Sequence, residues 1–108
     1  MDKQELDRLN RKLAEWAGFT NLRDGPLGLV GWSPDGTIMV SLDFTDPKWG
    51  MAYCFRWLVP KLSSYRLNST SPTEHHAYVN KRKSAWGETP ALALCLAIEK
   101  LIDRGDNR

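Results

Sequence analysis

Apolar positions recur at helical spacing in three parts of this chain and alternate between them. Near the start, Leu6, Leu9, Leu13 and Trp16 fall on one stripe, with Lys3, Arg8, Arg11 and Lys12 elsewhere, which predicts an amphipathic helix over residues 2–16. Asp2 with Glu5 three residues on suits a capping-box start, and Gly18 suits the stop. Residues 21–26 predict a loop punctuated by Gly25-Pro26. Residues 27–32 and 37–44 then read as a hairpin around the turn Ser33-Pro-Asp-Gly36. In its second strand Ile38, Val40, Leu42 and Phe44 alternate with Thr37, Met39, Ser41 and Asp43. Gly28 and Gly31 weaken the first.

Asp46-Pro47 offers a cap followed by a proline, so a second helix is expected from there to about Leu62. Its stripe would be Met51, Phe55, Leu58 and Leu62, thickened by Trp49, Tyr53 and Trp57, with a kink or an end near Pro60. Residues 65–69, 74–80 and 84–86 predict an antiparallel meander with turns at 69–73 and 80–83. It leads into a last helix whose start is signalled by Thr89 as N-cap and Pro90 at the first helical position. Residues 91–98 are apolar on every side, the mark of a helix buried on most faces, and Gly105 supplies the stop before a polar tail. The expected core includes Leu9, Leu13, Phe55, Leu58, Leu92, Cys95, Ile98 and Leu101. The fold class that follows is α+β, a small antiparallel sheet with three helices.

The run Gly87-Glu-Thr-Pro-Ala-Leu-Ala-Leu-Cys-Leu-Ala-Ile-Glu-Lys-Leu resembles the C-terminal signature of the phage ABA sandwich domain, a family of small phage and prophage proteins of unknown function. Residues 1–14 resemble its opening helix, and residues 41–62 its short extended stretch and second helix. Pro60 departs from the family's uninterrupted second helix. The resemblance implies an α-β-α sandwich and one domain over residues 1–108. It also implies a small soluble phage-type protein acting as a non-catalytic accessory or protein-interaction domain. Its motifs are a capped helix start and apolar stripes, so it carries no chemistry.

Composition narrows the function classes. The chain has 108 residues, 42% hydrophobic and 26% charged, in the range of one globular domain. Fifteen basic against 13 acidic residues leave a formal charge of +2, too small to indicate nucleic acid by itself. No apolar run approaches the roughly 20 residues of a membrane span, and the charged, periodic start is unlike a signal peptide, so a cytoplasmic protein is expected. Cys54 and Cys95 lie in apolar helical stretches and read as buried free thiols; a disulfide between them is geometrically possible but disfavoured in a reducing compartment.

The sequence holds few constellations suited to chemistry. His75 and His76 are adjacent on a strand and point to opposite faces, so they cannot chelate one ion together, and no metal or cofactor is expected. No nucleophile elbow or glycine-rich phosphate loop is present, which disfavours an enzyme. Two features suit binding. Trp32 and Trp86 flank turns and can be exposed at a protein interface. Lys81, Arg82 and Lys83 with Trp86 favour the alternative of weak, non-specific nucleic-acid binding, as the order helix, three strands, helix also occurs in double-stranded-RNA-binding domains. Glu88 at the last helix start opposes phosphate there.

Overall fold

The computed structural model describes residues 1–104. Helix α1, Lys3–Ala17, begins with the expected capping box: Asp2 accepts from the Glu5 amide at 2.8 Å while Glu5 accepts from the Asp2 amide at 3.3 Å. Gly18 ends it in the left-handed region at φ 99°. The buried face is Leu9, Asn10, Leu13, Ala14 and Ala17, so an asparagine sits among the apolar residues while Leu6 and Trp16 are only half-buried.

Strands β1 (Thr20–Gly25), β2 (Gly28–Trp32) and β3 (Ile38–Met39) form a three-stranded antiparallel sheet. Residues 20–25 are therefore strand where the sequence predicted loop, because Asn21 at φ 53° absorbs an irregularity in the ladder instead of ending it. The predicted alternation through Phe44 breaks for a related reason. Pairing stops at Met39, and the chain bends at residues 40–41 before Leu42 rejoins β2 through its amide. Ile38 and Val40 consequently lie outside, and Val40 is 52% exposed, whereas Leu42 and Phe44 are buried. An irregularity of this kind exchanges the faces of a strand.

In the turn between β2 and β3, the Asp35 carboxylate accepts from the Ser33 hydroxyl and the Thr37 amide, and pairs with Arg56 at 3.1 Å. These bonds, the Ser33 hydroxyl foremost, lower its pKa from 3.8 to about 2. A carboxyl whose folded-state pKa is depressed stabilises the fold above the unfolded value, and that contribution is lost as pH falls through the window from about 4 to about 2. Asp35→Asn is therefore expected to lower the urea midpoint at neutral pH and to flatten the loss of stability across that acid window. Superimposable pH profiles for the variant and the parent would contradict this.

The second helical region is short and irregular. Asp46 accepts from the amides of Lys48 and Trp49, as its capping role predicts, but regular helix α2 covers only Gly50–Tyr53. It passes into a π turn at Cys54–Leu58 and a 3-10 turn at Val59–Lys61. Pro60 has no N–H and its ring crowds the carbonyl four residues back, so the chain widens just before it. The buried face is Gly50, Cys54, Trp57 and Leu58, still at helical spacing but offset from the predicted stripe, and Phe55 is 43% exposed, which removes Phe55 from the predicted core. Trp57 packs edge-on to Phe19 at 5.3 Å, and Trp49 lies outside beside Lys48.

The meander is β4 (Tyr65–Ser71), β5 (Glu74–Val79) and β6 (Lys83–Gly87), with β5 in the centre. Its β5–β6 turn closes with the Arg82 amide on the Val79 carbonyl, and both central residues, Asn80 and Lys81, have positive φ of 52° and 55°. Asn80 tolerates that conformation, and its side-chain oxygen also accepts from the amides of Ser63 and Ser64. Lys81 has no such compensation. Lys81→Gly is expected to raise stability by about 0.5–1 kcal/mol in urea unfolding, and a lower midpoint would contradict the strain.

Helix α3, Pro90–Asp103, starts as predicted, with Thr89 accepting from the Leu92 amide at 3.1 Å. It lies across β5 and β6 so closely that a Cβ on Gly87 would sit 2.6 Å from the Ala93 nitrogen. Ala91, Ala93, Leu94, Cys95, Ala97, Ile98 and Leu101 are buried, whereas Leu92 is half-buried at the rim. Lys12 ties α1 to α3 through Glu99 at 3.0 Å and Asp103 at 2.9 Å, and those bonds, Asp103 first, raise its pKa. The predicted stop at Gly105 and the tail lie outside the described residues. Three helices and two small antiparallel sheets make a compact α+β fold. Among the described residues no helix is long and apolar enough to cross a membrane.

Candidate interaction surface

Directly paired residues in an antiparallel sheet project to the same side, so the register of β4–β6 sorts its side chains into two faces. Leu67, Ala77 and Ala85 form one row, and Ala77 and Ala85 are buried beneath α3. The flanking rows, Asn68–His76–Trp86 and Arg66–Tyr78–Ser84, project to the opposite side. On that outer face Trp86 is 58% exposed and stacks obliquely on His76, with ring centroids 4.7 Å apart and planes 43° apart. Tyr78 and Arg66, paired with each other, are exposed next to them. The outer face thus offers a flat set of an indole, an imidazole, a phenol and a guanidinium.

Not all the sequence-predicted binding residues meet there. Trp86 lies at the heart of the face, and Lys81 and Arg82 lie in the turn at one end of it. Lys83 pairs with Val79, which is fully buried on the α3 side, so its side chain starts from the other face. The strand's own alternation thus splits the basic triplet, with Lys81 and Arg82 in the turn and Lys83 on the opposite face from Trp86. Trp32 belongs to the other sheet, where it pairs with Ile38; the two are 40% and 42% exposed and form a smaller apolar patch with Val40 nearby. Sequence reasoning missed Tyr78, His76 and Arg66 as members of the surface. Strand alternation counted from Trp86 through the turn would have placed all three on its side.

The groups suited to chemistry are occupied otherwise. His75 contacts the Ser69 hydroxyl at 2.6 Å through Nδ1 and the Pro72 carbonyl at 3.0 Å through Nε2, while His76 faces the opposite side, as alternation predicts. A groove of about 910 Å³ between α1 and the β1–β2 loop includes Asp24 and Asp43. Asp43 accepts from Asn10 and from the Thr45 amide and hydroxyl, and Asp24 pairs with Arg11. Among the described residues no three His, Cys, Asp or Glu side chains converge. No protein-family model, curated protein or solved structure matches the chain.

Proposed function

We propose that this chain is a non-catalytic binding module that engages a protein partner through the outer face of β4–β6, in the cytoplasmic phage or prophage setting that its sequence resemblance implies. The observation that carries the reading is Trp86, largely exposed and stacked on His76, with Tyr78 and Arg66 on the same face. Trp, Tyr and Arg are the residues that most often carry binding energy at protein interfaces. A sheet face is also a rigid mount, so these side chains lose little freedom on docking. The non-catalytic part is supported by the aspartates, which spend their oxygens on local backbone, and by the burial of both thiols.

The test is capture from lysate of the cells that carry the protein, comparing the parent with Trp86→Ala and with Trp49→Ala, an exposed tryptophan away from the sheet. Truncating a central aromatic anchor is expected to lower retention of a specific partner at least about 10-fold, with Trp49→Ala unchanged. Equal retention by the Trp86 variant would remove the surface from the reading.

A second reading is weak, non-specific nucleic-acid binding, favoured by the same aromatic face with Lys81 and Arg82 at its end. Bases stack on such platforms without sequence preference. About three phosphate contacts, from Arg66, Lys81 and Arg82, would give a salt slope near −2 on single strands. Fluorescence anisotropy at low salt separates the two readings. Single-strand binding lost in both Trp86→Ala and Lys81→Ala would favour nucleic acid, and no binding at millimolar protein would end it.

A further inference from the structure

Cys54 and Cys95 are 41 residues apart in sequence, yet their Sγ atoms lie 3.7 Å from one another in the core. Both are free and completely buried. Cys54 lies on the buried side of the second helical region, and Cys95 faces it from the apolar half of α3. Both thiols also aim at one acceptor: Cys54 donates to the Phe44 carbonyl at 3.4 Å and Cys95 at 3.5 Å. On its other side the Phe44 amide donates to Asn10 Oδ1 at 2.7 Å. Cysteines serving only as small apolar fillers would need neither mutual approach nor a shared acceptor.

We propose that Cys54 and Cys95 are a reversible thiol–disulfide switch, in which an oxidant of the disulfide or azo class joins them and releases the Phe44 carbonyl. Two S–H bonds break and one S–S bond forms, and two electrons and two protons pass to the oxidant. Oxidised glutathione becomes two thiols, and diamide has its N=N bond reduced to a hydrazine. The gap to close runs from 3.7 Å to the roughly 2.05 Å of a disulfide, within reach of side-chain rotation and a small approach of α3 to the π turn. Burial pushes the Cys95 thiol well above its usual range, and the neighbouring Cys54 adds to this. The reactive thiolate is therefore formed when the segment around residues 44–58 opens locally, which makes the switch slow and confined to sustained oxidation. Disulfides that form in a reducing compartment are typically of this transient kind.

Closure has two effects of opposite sign. It cross-links positions 41 residues apart and so restricts the unfolded chain, which raises resistance to global unfolding. It also takes both S–H donors from a buried carbonyl, loosening the segment from Phe44 to Gly50. Gly50 is packed against that carbonyl so closely that a Cβ would lie 2.5 Å from its oxygen.

The experiment treats the folded protein, without denaturant, with excess diamide or oxidised glutathione, alongside Cys54→Ala and Cys95→Ala. The expected product is two hydrogens lighter, yields a Cys54–Cys95 cross-linked peptide, reverts with dithiothreitol and is absent from both variants. Its urea midpoint should be higher than that of the reduced protein, and amide exchange at residues 44–50 faster. Three results would overturn the switch. The folded protein could keep both thiols for a day while the urea-unfolded chain oxidises readily. Glutathione could attach to one cysteine with no cross-link. The cross-linked protein could show exchange at residues 44–50 unchanged.

Discussion

Asn10→Ala is expected to destabilise the protein by about 3 kcal/mol, although the residue is polar and lies on a helix. Asn10 is 5% exposed and makes three bonds with one side chain. Its Oδ1 accepts from the Phe44 amide at 2.7 Å, and its Nδ2 donates to Asp43 Oδ1 at 2.9 Å and to the Leu6 carbonyl at 3.1 Å. Asp43 in turn holds the Thr45 amide and hydroxyl, so Asn10 fastens α1 to a segment that has no ladder of its own. Truncation leaves the Phe44 amide buried without an acceptor, and that desolvation, about 1–3 kcal/mol, adds to the other lost bonds. Asn10→Asp keeps the acceptor but brings a second carboxylate to Asp43, so it should recover part of the loss at acid pH and little of it at neutral pH. Urea melts of both variants check this, and a loss below about 1 kcal/mol for Asn10→Ala would show that the fastening carries no weight.

Ile98→Ala is expected to cost about 3–4 kcal/mol, the range for removing a fully buried aliphatic side chain whose neighbours cannot collapse. Ile98 is completely enclosed in the continuous core formed with Leu9, Leu13, Leu58, Leu94 and Leu101. The close approach of α3 to Gly87 leaves the helix little room to settle into the void. Leu92→Ala is the contrast. Leu92 is half-buried at the rim of the same helix, so water fills much of the space it leaves and about 1–1.5 kcal/mol is expected. Parallel urea or thermal melts should separate the two variants clearly. Equal losses would mean that the helix is buried more uniformly than its exposure indicates.

The surface around Trp86 and the pair of cysteines differ in how far they could be read in advance. The outer sheet face follows from register alone, and register in a hairpin is fixed by the turn: the three-residue loop Asn80-Lys81-Arg82 sets Val79 opposite Lys83, and so Tyr78 opposite Ser84 and His76 opposite Trp86. Adjacency in sequence suggests one patch of Lys81, Arg82 and Lys83, whereas Lys83 opens a strand, in which neighbours point to opposite faces. The approach of Cys54 to Cys95 had no signal beyond two apolar contexts, since it depends on the packing of α3 against a π turn that no periodicity announces.

What the sequence determined by itself is the set of elements whose causes are local. The capping box of α1, its stop at Gly18, the Thr89–Pro90 start of α3 and the alternation of the meander rest on bonds between residues three or four apart, or on a period that one segment carries alone. What tertiary structure decided lies where one segment is held by another. The chain leaves its strand after Met39 and reaches Phe44 in a form fixed by Asn10, more than thirty residues earlier. The second helical region buries Gly50, Cys54, Trp57 and Leu58 and leaves Phe55 outside. Large apolar residues stand at helical spacing on two adjacent faces of this segment, Met51–Phe55 and Cys54–Trp57–Leu58. Its own period therefore leaves open which face is buried, and packing against the rest of the core decides it.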